Sequence, residues 1–165
     1  MKSYLVKQFL KLTSIVLFAS CAGNKSSQPE PQLTADSLHK MMAEYAPGLG
    51  EIMGGIQMHH AKLWYAGIND NWELAQYEID ELKERFVQAT QVETTRPEVK
   101  MIPMMYPSID SMKDAIIHKN IDQFKSGYKL LTTTCNSCHQ ANNFSFNIIT
   151  IPTAPPVTNQ DFKVH

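Results

Sequence analysis

From Thr34 onward, apolar residues recur every three or four positions with polar residues between them, the period of amphipathic helices. "TADSLHKMMAEYA" opens on good capping residues and predicts a short first helix, interrupted at Pro47-Gly48. "LGEIMGGIQMHHAKLWYAGIN" then puts Leu49, Met53, Ile56, His60, Leu63, Trp64 and Gly67 on one face of a long helix. A tight Gly-Ile-Asn turn follows, and the next helix has Trp72, Ala75, Ile79, Leu82, Phe86 and Ala89 inside and Glu73, Asp80, Lys83 and Glu84 outside.

"TTRPEVKMIPMMYP" carries three prolines, which argues for a loop without regular structure. Ser108 is positioned to cap the next helix, with Ile109, Met112 and Ile116 inward, and Asn120 to cap the last. In that last helix Phe124, Tyr128, Leu131, Cys135, Cys138 and His139 share one stripe. Residues 144–165 are Pro-rich and β-branched and predict an extended tail packed across the helices. Repeats and strand pairing are not evident. The pattern predicts an all-α fold, an antiparallel four-helix bundle over residues 34–143 with one longer loop between its second and third members.

The N-terminus changes the compartment. Lys2, Lys7 and Lys11 precede a short apolar run, Leu12 to Ala19, which has the layout of a secretory signal peptide over residues 1–20. Phe18-Ala19-Ser20-Cys21 resembles a lipobox, so Cys21 is the expected lipidated residue; an ordinary signal peptide with an incidental cysteine is the alternative. Residues 21–33, polar and rich in Ser and Pro, read as a flexible tether. The expectation is an exported protein of the periplasm or cell envelope, held to a membrane by its lipid anchor.

Charge excludes one class of partner. The full chain carries 15 Lys and Arg against 16 Asp and Glu. The leader would remove three lysines and no acid, leaving 12 against 16, a formal net charge of −4. Nucleic acid is therefore not expected as a partner.

With Cys21 assigned to lipid, Cys135 and Cys138 remain as a pair, in "CNSCH" with His139 directly behind. This spacing is that of covalent haem attachment: two thiols add to the two vinyl groups and the histidine coordinates iron. A structural zinc would need four ligands, and His59-His60 are adjacent rather than spaced as a zinc pair. A thioredoxin-like motif would need a βαβ context, which leaves a simple disulfide as the competing reading.

A helical bundle ending in "YKLLTTTCNSCH" resembles the class II c-type cytochromes, the cytochrome c′ and cytochrome c-556 family. The resemblance implies one covalent haem c near the end of the last helix, export, and no catalysis of its own. It also implies a basic residue four places after the histidine, near the haem propionates; this chain has Asn143 there.

The opposite side of the iron separates functions, because a strong sixth ligand suits electron transfer and a vacant side suits gas binding. Met53 is the leading candidate for the sixth ligand, where c-556-like members have a methionine, with Gly54-Gly55 beside it to admit a flat ring. His60, two turns on, is the second candidate; core packing is the alternative for both. His59 and Met58 point elsewhere. Met101, Met104 and Met105 are expected as an apolar lid, with copper(I) binding as the lesser reading, and Trp64 and Trp72 as core aromatics far from the haem. The functional expectation is a monohaem carrier of single electrons with a redox partner protein in the envelope, a second copy of the chain being a further candidate partner. The alternatives are a cytochrome c′-like gas-binding protein and a haemless helical lipoprotein serving as a scaffold.

Overall fold

The structure, a computed structural model, describes residues 34–165; the expected leader, Cys21 and the whole of the tether lie outside the described residues. The described residues are all-α, with no strand among them. Helix α1 spans Ala35–Tyr45 and buries no residue; the Ser37 amide donates to Thr34 Oγ1 at 3.1 Å ahead of its first turn. Helices α2 (Leu49–Ile68), α3 (Trp72–Val92), α4 (Tyr106–Ile117) and α5 (Ile121–Ala141) carry the core. Packing runs α2 on α3, α3 on α4 and α4 on α5, and α5 returns to α2. Among the described residues, no helix is long and apolar enough to cross a membrane.

Two of the connections are built alike. At the end of α2, Asp70 adopts a left-handed φ of 56°, and the amides of Asp70 and Asn71 donate back to the carbonyls of Gly67 and Ala66. At the end of α4, Lys119 does the same at φ 50°, with Lys119 and Asn120 donating to Ile116 and Ala115. Each is a Schellman closure, and the asparagine that completes it caps the next helix. Asn71 Oδ1 accepts from the Leu74 amide at 3.2 Å and Asn120 Oδ1 from the Gln123 amide at 3.0 Å. One short segment thus stops one helix and starts the next.

The structure corrects the sequence reading in several places. Gly67 is not a turn residue; it lies in the last turn of α2, where a Cβ would run into the Phe124 ring. Ser108 does not cap α4, which starts two residues earlier, with Pro107 in its first turn where a missing N–H costs nothing. The Ser108 hydroxyl instead donates to the Met105 carbonyl at 2.7 Å.

The proline-rich stretch is also regular: Pro97–Met105 is a 3₁₀ helix. With about three residues per turn, its side chains at i, i+3 and i+6 align, and Val99, Ile102 and Met105 are the three it buries. On α2 the core takes Ile52 and Ala66, while Met53 and Trp64 are half-buried at its edge. On α3, Glu78 is buried at 1% exposure, held by His59 Nδ1 of α2 at 2.7 Å. A carboxylate leaves water only with such a partner.

The tail, residues 144–165, has no regular structure and lies along the helices. Near its start Ile149 pairs with Asn136 of α5. Near its end Phe162 is buried against Tyr65, ring centroids 5.6 Å apart, and its carbonyl accepts from Asn71 Nδ2 at 3.3 Å.

Candidate functional site

The last turns of α5 and the first turns of α2 face each other across a cavity of about 320 Å³. Cys135, Cys138 and His139 line it from α5, and Met53, Gly54, Gln57 and His60 from α2. The 3₁₀ helix roofs it with Val99, Ile102 and Met105, and Phe86 of α3 completes an apolar wall. A largely apolar hollow with a few convergent polar atoms is the usual form of a cofactor site.

His139 is oriented by how α5 ends. Asn142 closes the helix and Asn143 turns left-handed at φ 66°, while the amides of Asn143 and Phe144 donate back to the carbonyls of Gln140 and His139. This third Schellman closure reverses the chain, and a turn from Phe144 to Asn147, closed by a 2.9 Å hydrogen bond, follows. The Asn147 carbonyl thereby reaches His139 Nδ1 at 2.7 Å. A carbonyl only accepts, so Nδ1 carries the proton and Nε2 of the neutral ring keeps a free lone pair. Asn143 is thus employed in ending the helix, at the position where the resembled family has a basic residue.

Both thiols are unbridged. Burial, with a smaller push from Cys138, raises Cys135 to about 12; burial also raises Cys138, against the opposing hydrogen bond from Asn142. Both are therefore protonated at neutral pH. Asn142 Nδ2 donates to the Cys138 carbonyl at 2.8 Å and also contacts Met101 Sδ at 3.1 Å and Cys138 Sγ at 3.6 Å.

His60 sits on the cavity wall with both ring nitrogens engaged. Nδ1 meets Tyr128 Oη and Nε2 meets Thr132 Oγ1, each at 2.9 Å. Both hydroxyls also have carbonyl acceptors at 2.8 Å, Tyr128 on His60 and Thr132 on Tyr128. Burial lowers the imidazole to about 4, so it is neutral, with one N–H and one lone pair spent inside this network. Burial also raises the Tyr128 phenol. His60 could offer a lone pair to a metal only by breaking this network.

Met53 lines the same cavity, half-buried, with no such commitment. Of the glycines beside it, Gly54 is open: a Cβ there, or at Gly50 one turn earlier, meets no atom within 4 Å. Gly55 instead abuts the Arg85 side chain at 3.4 Å. The room expected beside Met53 is therefore supplied by Gly50 and Gly54, and not by Gly55.

His59 faces Glu78 on α3, and Met58 is exposed. Met101, Met104 and Met105 divide between the Asn142 contact, solvent and the cavity roof. Among the described residues, no three His, Cys, Asp or Glu side chains converge as a metal-binding group. Trp64 and Trp72 extend the aromatic packing of Tyr128 and Phe124 toward the α2–α3 turn.

One cation on the wall was not anticipated. Arg96 donates from Nε to Glu98 Oε1 at 2.8 Å, and both line the cavity. Glu98 is held below the usual carboxylate range, first by its own backbone amide and then by Arg96. The signal was a lone arginine immediately ahead of a proline that opens a helix.

No family model matches the chain, and neither does any curated protein or solved structure.

Proposed function

We propose that this protein is a monohaem c-type cytochrome, with α2–α5 forming an antiparallel four-helix bundle, that carries single electrons in the cell envelope. One observation carries the reading: His139 lines an apolar cavity beside both thiols of its motif, its Nδ1 proton tied to a carbonyl and its Nε2 free. The donor set suits haem c: two thiols and an imidazole with a free Nε2 stand together on an apolar hollow. The iron, when bound, supplies a one-electron couple.

The chain's own residues would do the rest. Cys135 and Cys138 would hold the ring by two thioethers, each formed by adding S–H across a vinyl group with no change in oxidation state. His139 would be the axial ligand, its basicity raised by the hydrogen bond to Asn147. Met53 is the proposed sixth ligand, and the satisfied network around His60 argues against the imidazole. Val99, Ile102, Phe86 and Met105 would keep water from the ring, and Arg96 is the lysine or arginine on the wall that can face its carboxylates. The protein would act as an exported lipoprotein tethered through Cys21, passing electrons to a redox protein of the envelope.

The open wall at Gly50 and Gly54 supports a second reading, in which a small gas enters beside a weakly held Met53. Both readings are tested by producing the full chain with its leader in a host that matures c-type cytochromes. Haem that resists acid-acetone extraction, and is impaired by Cys135→Ala, supports attachment. Sharp low-spin bands on reduction then favour electron transfer, and high-spin bands favour gas binding. A colourless protein refutes both and leaves the haemless lipoprotein.

A further inference from the structure

The first of the two motif residues between the cysteines has a task of its own. Asn136 forms two hydrogen bonds with the backbone of one tail residue: its Nδ2 donates to the Ile149 carbonyl at 2.9 Å, and the Ile149 amide donates to its Oδ1 at 2.8 Å. The side-chain amide thus satisfies both polar groups of a peptide position in the way a neighbouring strand would. Two residues before Ile149, the Asn147 carbonyl meets His139 Nδ1. On α5, Asn136 and His139 are three apart and lie on neighbouring parts of one face.

We infer that Asn136 is a positioning residue for the proximal histidine: it pins the tail at Ile149 so that the Asn147 carbonyl stays on His139 Nδ1. The inference rests on the proposed role of His139 as an iron ligand. Asn147 is exposed, so water competes for its carbonyl, and after the Phe144 amide on the His139 carbonyl the backbone of residues 145–149 is otherwise held by one turn. Without the Asn136 pair, the 147–149 segment can leave α5. The ring can then rotate about its side-chain bonds or take the other tautomer, which would remove the lone pair from Nε2. A retained Nδ1–H···O bond also makes the ligated imidazole a stronger donor, which favours the oxidised metal.

The test compares wild type, Asn136→Ala and Asn136→Asp as full chains, with far-UV circular dichroism as a check of folding. In the haem-free chain, ring ¹⁵N shifts should place the proton of neutral His139 on Nδ1 in wild type and distribute it over both nitrogens in Asn136→Ala. Asn136→Asp, which keeps the acceptor for the Ile149 amide and loses the donor, should fall between. In the haem-bearing protein the reduction potential should rise in Asn136→Ala, the variant that adds no charge beside the site. Wild-type tautomer and potential in a folded Asn136→Ala variant would overturn the inference while leaving haem attachment intact. A wild-type chain that never takes up haem would overturn it together with the reading it rests on.

Discussion

His60 ties stability to acidity in a way that can be worked out from its neighbours. The ring is buried between α2 and α5 and neutral, with a value of about 4 when folded against 6.5 when free in water. Between those two values the unfolded chain binds a proton that the folded one refuses. Stability contributed by keeping this ring neutral is fully present above pH 6.5, and it is lost as pH falls toward 4. The gap corresponds to about 3 kcal/mol at about 1.4 kcal/mol per pH unit.

His60→Phe removes the titration with little other damage, because both hydroxyls that face the ring retain carbonyl acceptors: Tyr128 on the main chain of residue 60, and Thr132 on that of Tyr128. At pH 7 the variant should lie within about 2 kcal/mol of wild type, the cost being lost hydrogen bonds and a slightly larger ring. Urea unfolding of both proteins, followed by far-UV circular dichroism at half-unit steps from pH 7 to 4, gives the difference curve. Carboxylates common to both proteins cancel, and the stability difference should move by about 2–3 kcal/mol in favour of the variant across that window. Parallel curves would refute the reasoning, since they would mean that the ring is hydrated or charged when folded.

Three further outcomes follow from named contacts. Gly67→Ala drives a methyl into the Phe124 ring and should cost about 1–3 kcal/mol in thermal unfolding; an unchanged midpoint would mean that the α2–α5 contact is looser than described. Lys119→Gly relieves an exposed left-handed residue and should stabilise by about 1 kcal/mol, raising the midpoint by about 2–6 °C, whereas a lower midpoint would show that Lys119 makes a compensating contact. If haem is held as proposed, Met53→Ala should convert a low-spin reduced spectrum to a high-spin one that binds carbon monoxide, while His60→Phe leaves it low-spin. The reverse pattern would assign the sixth ligand to His60.

Much of this fold could be read from local patterns, because the forces that set it are local. The stripe from Phe124 to His139 and the cap at Asn120 depend on residues within a turn or two of one another. What escaped was decided by contacts distant in sequence, or by a less familiar period. Glu78 looks like any surface acid until α2 brings His59 against it. Val99, Ile102 and Met105 repeat every third residue, which prolines on either side made easy to discount. Asp70 and Lys119 turn the chain where glycine would be the expected residue, and Gly67 serves packing instead. In the candidate site, Cys135, Cys138, His139 and Met53 were legible as residue types at informative spacings. Arg96, Asn136 and the Asn147 carbonyl were not, since their relevance exists only after the 3₁₀ helix and the tail have folded onto α5.

The cavity roof also bears on the thermodynamics of loading. Pro97, Pro103 and Pro107 restrict the segment from Arg96 to α4 before it folds, so fixing it as a 3₁₀ helix forfeits little chain freedom. Its three apolar side chains then stand over the hollow as a ready-made ceiling, supported from α3, α4 and α5. A guest entering beneath it need not organise that wall, and more of its contact energy is left to show as affinity.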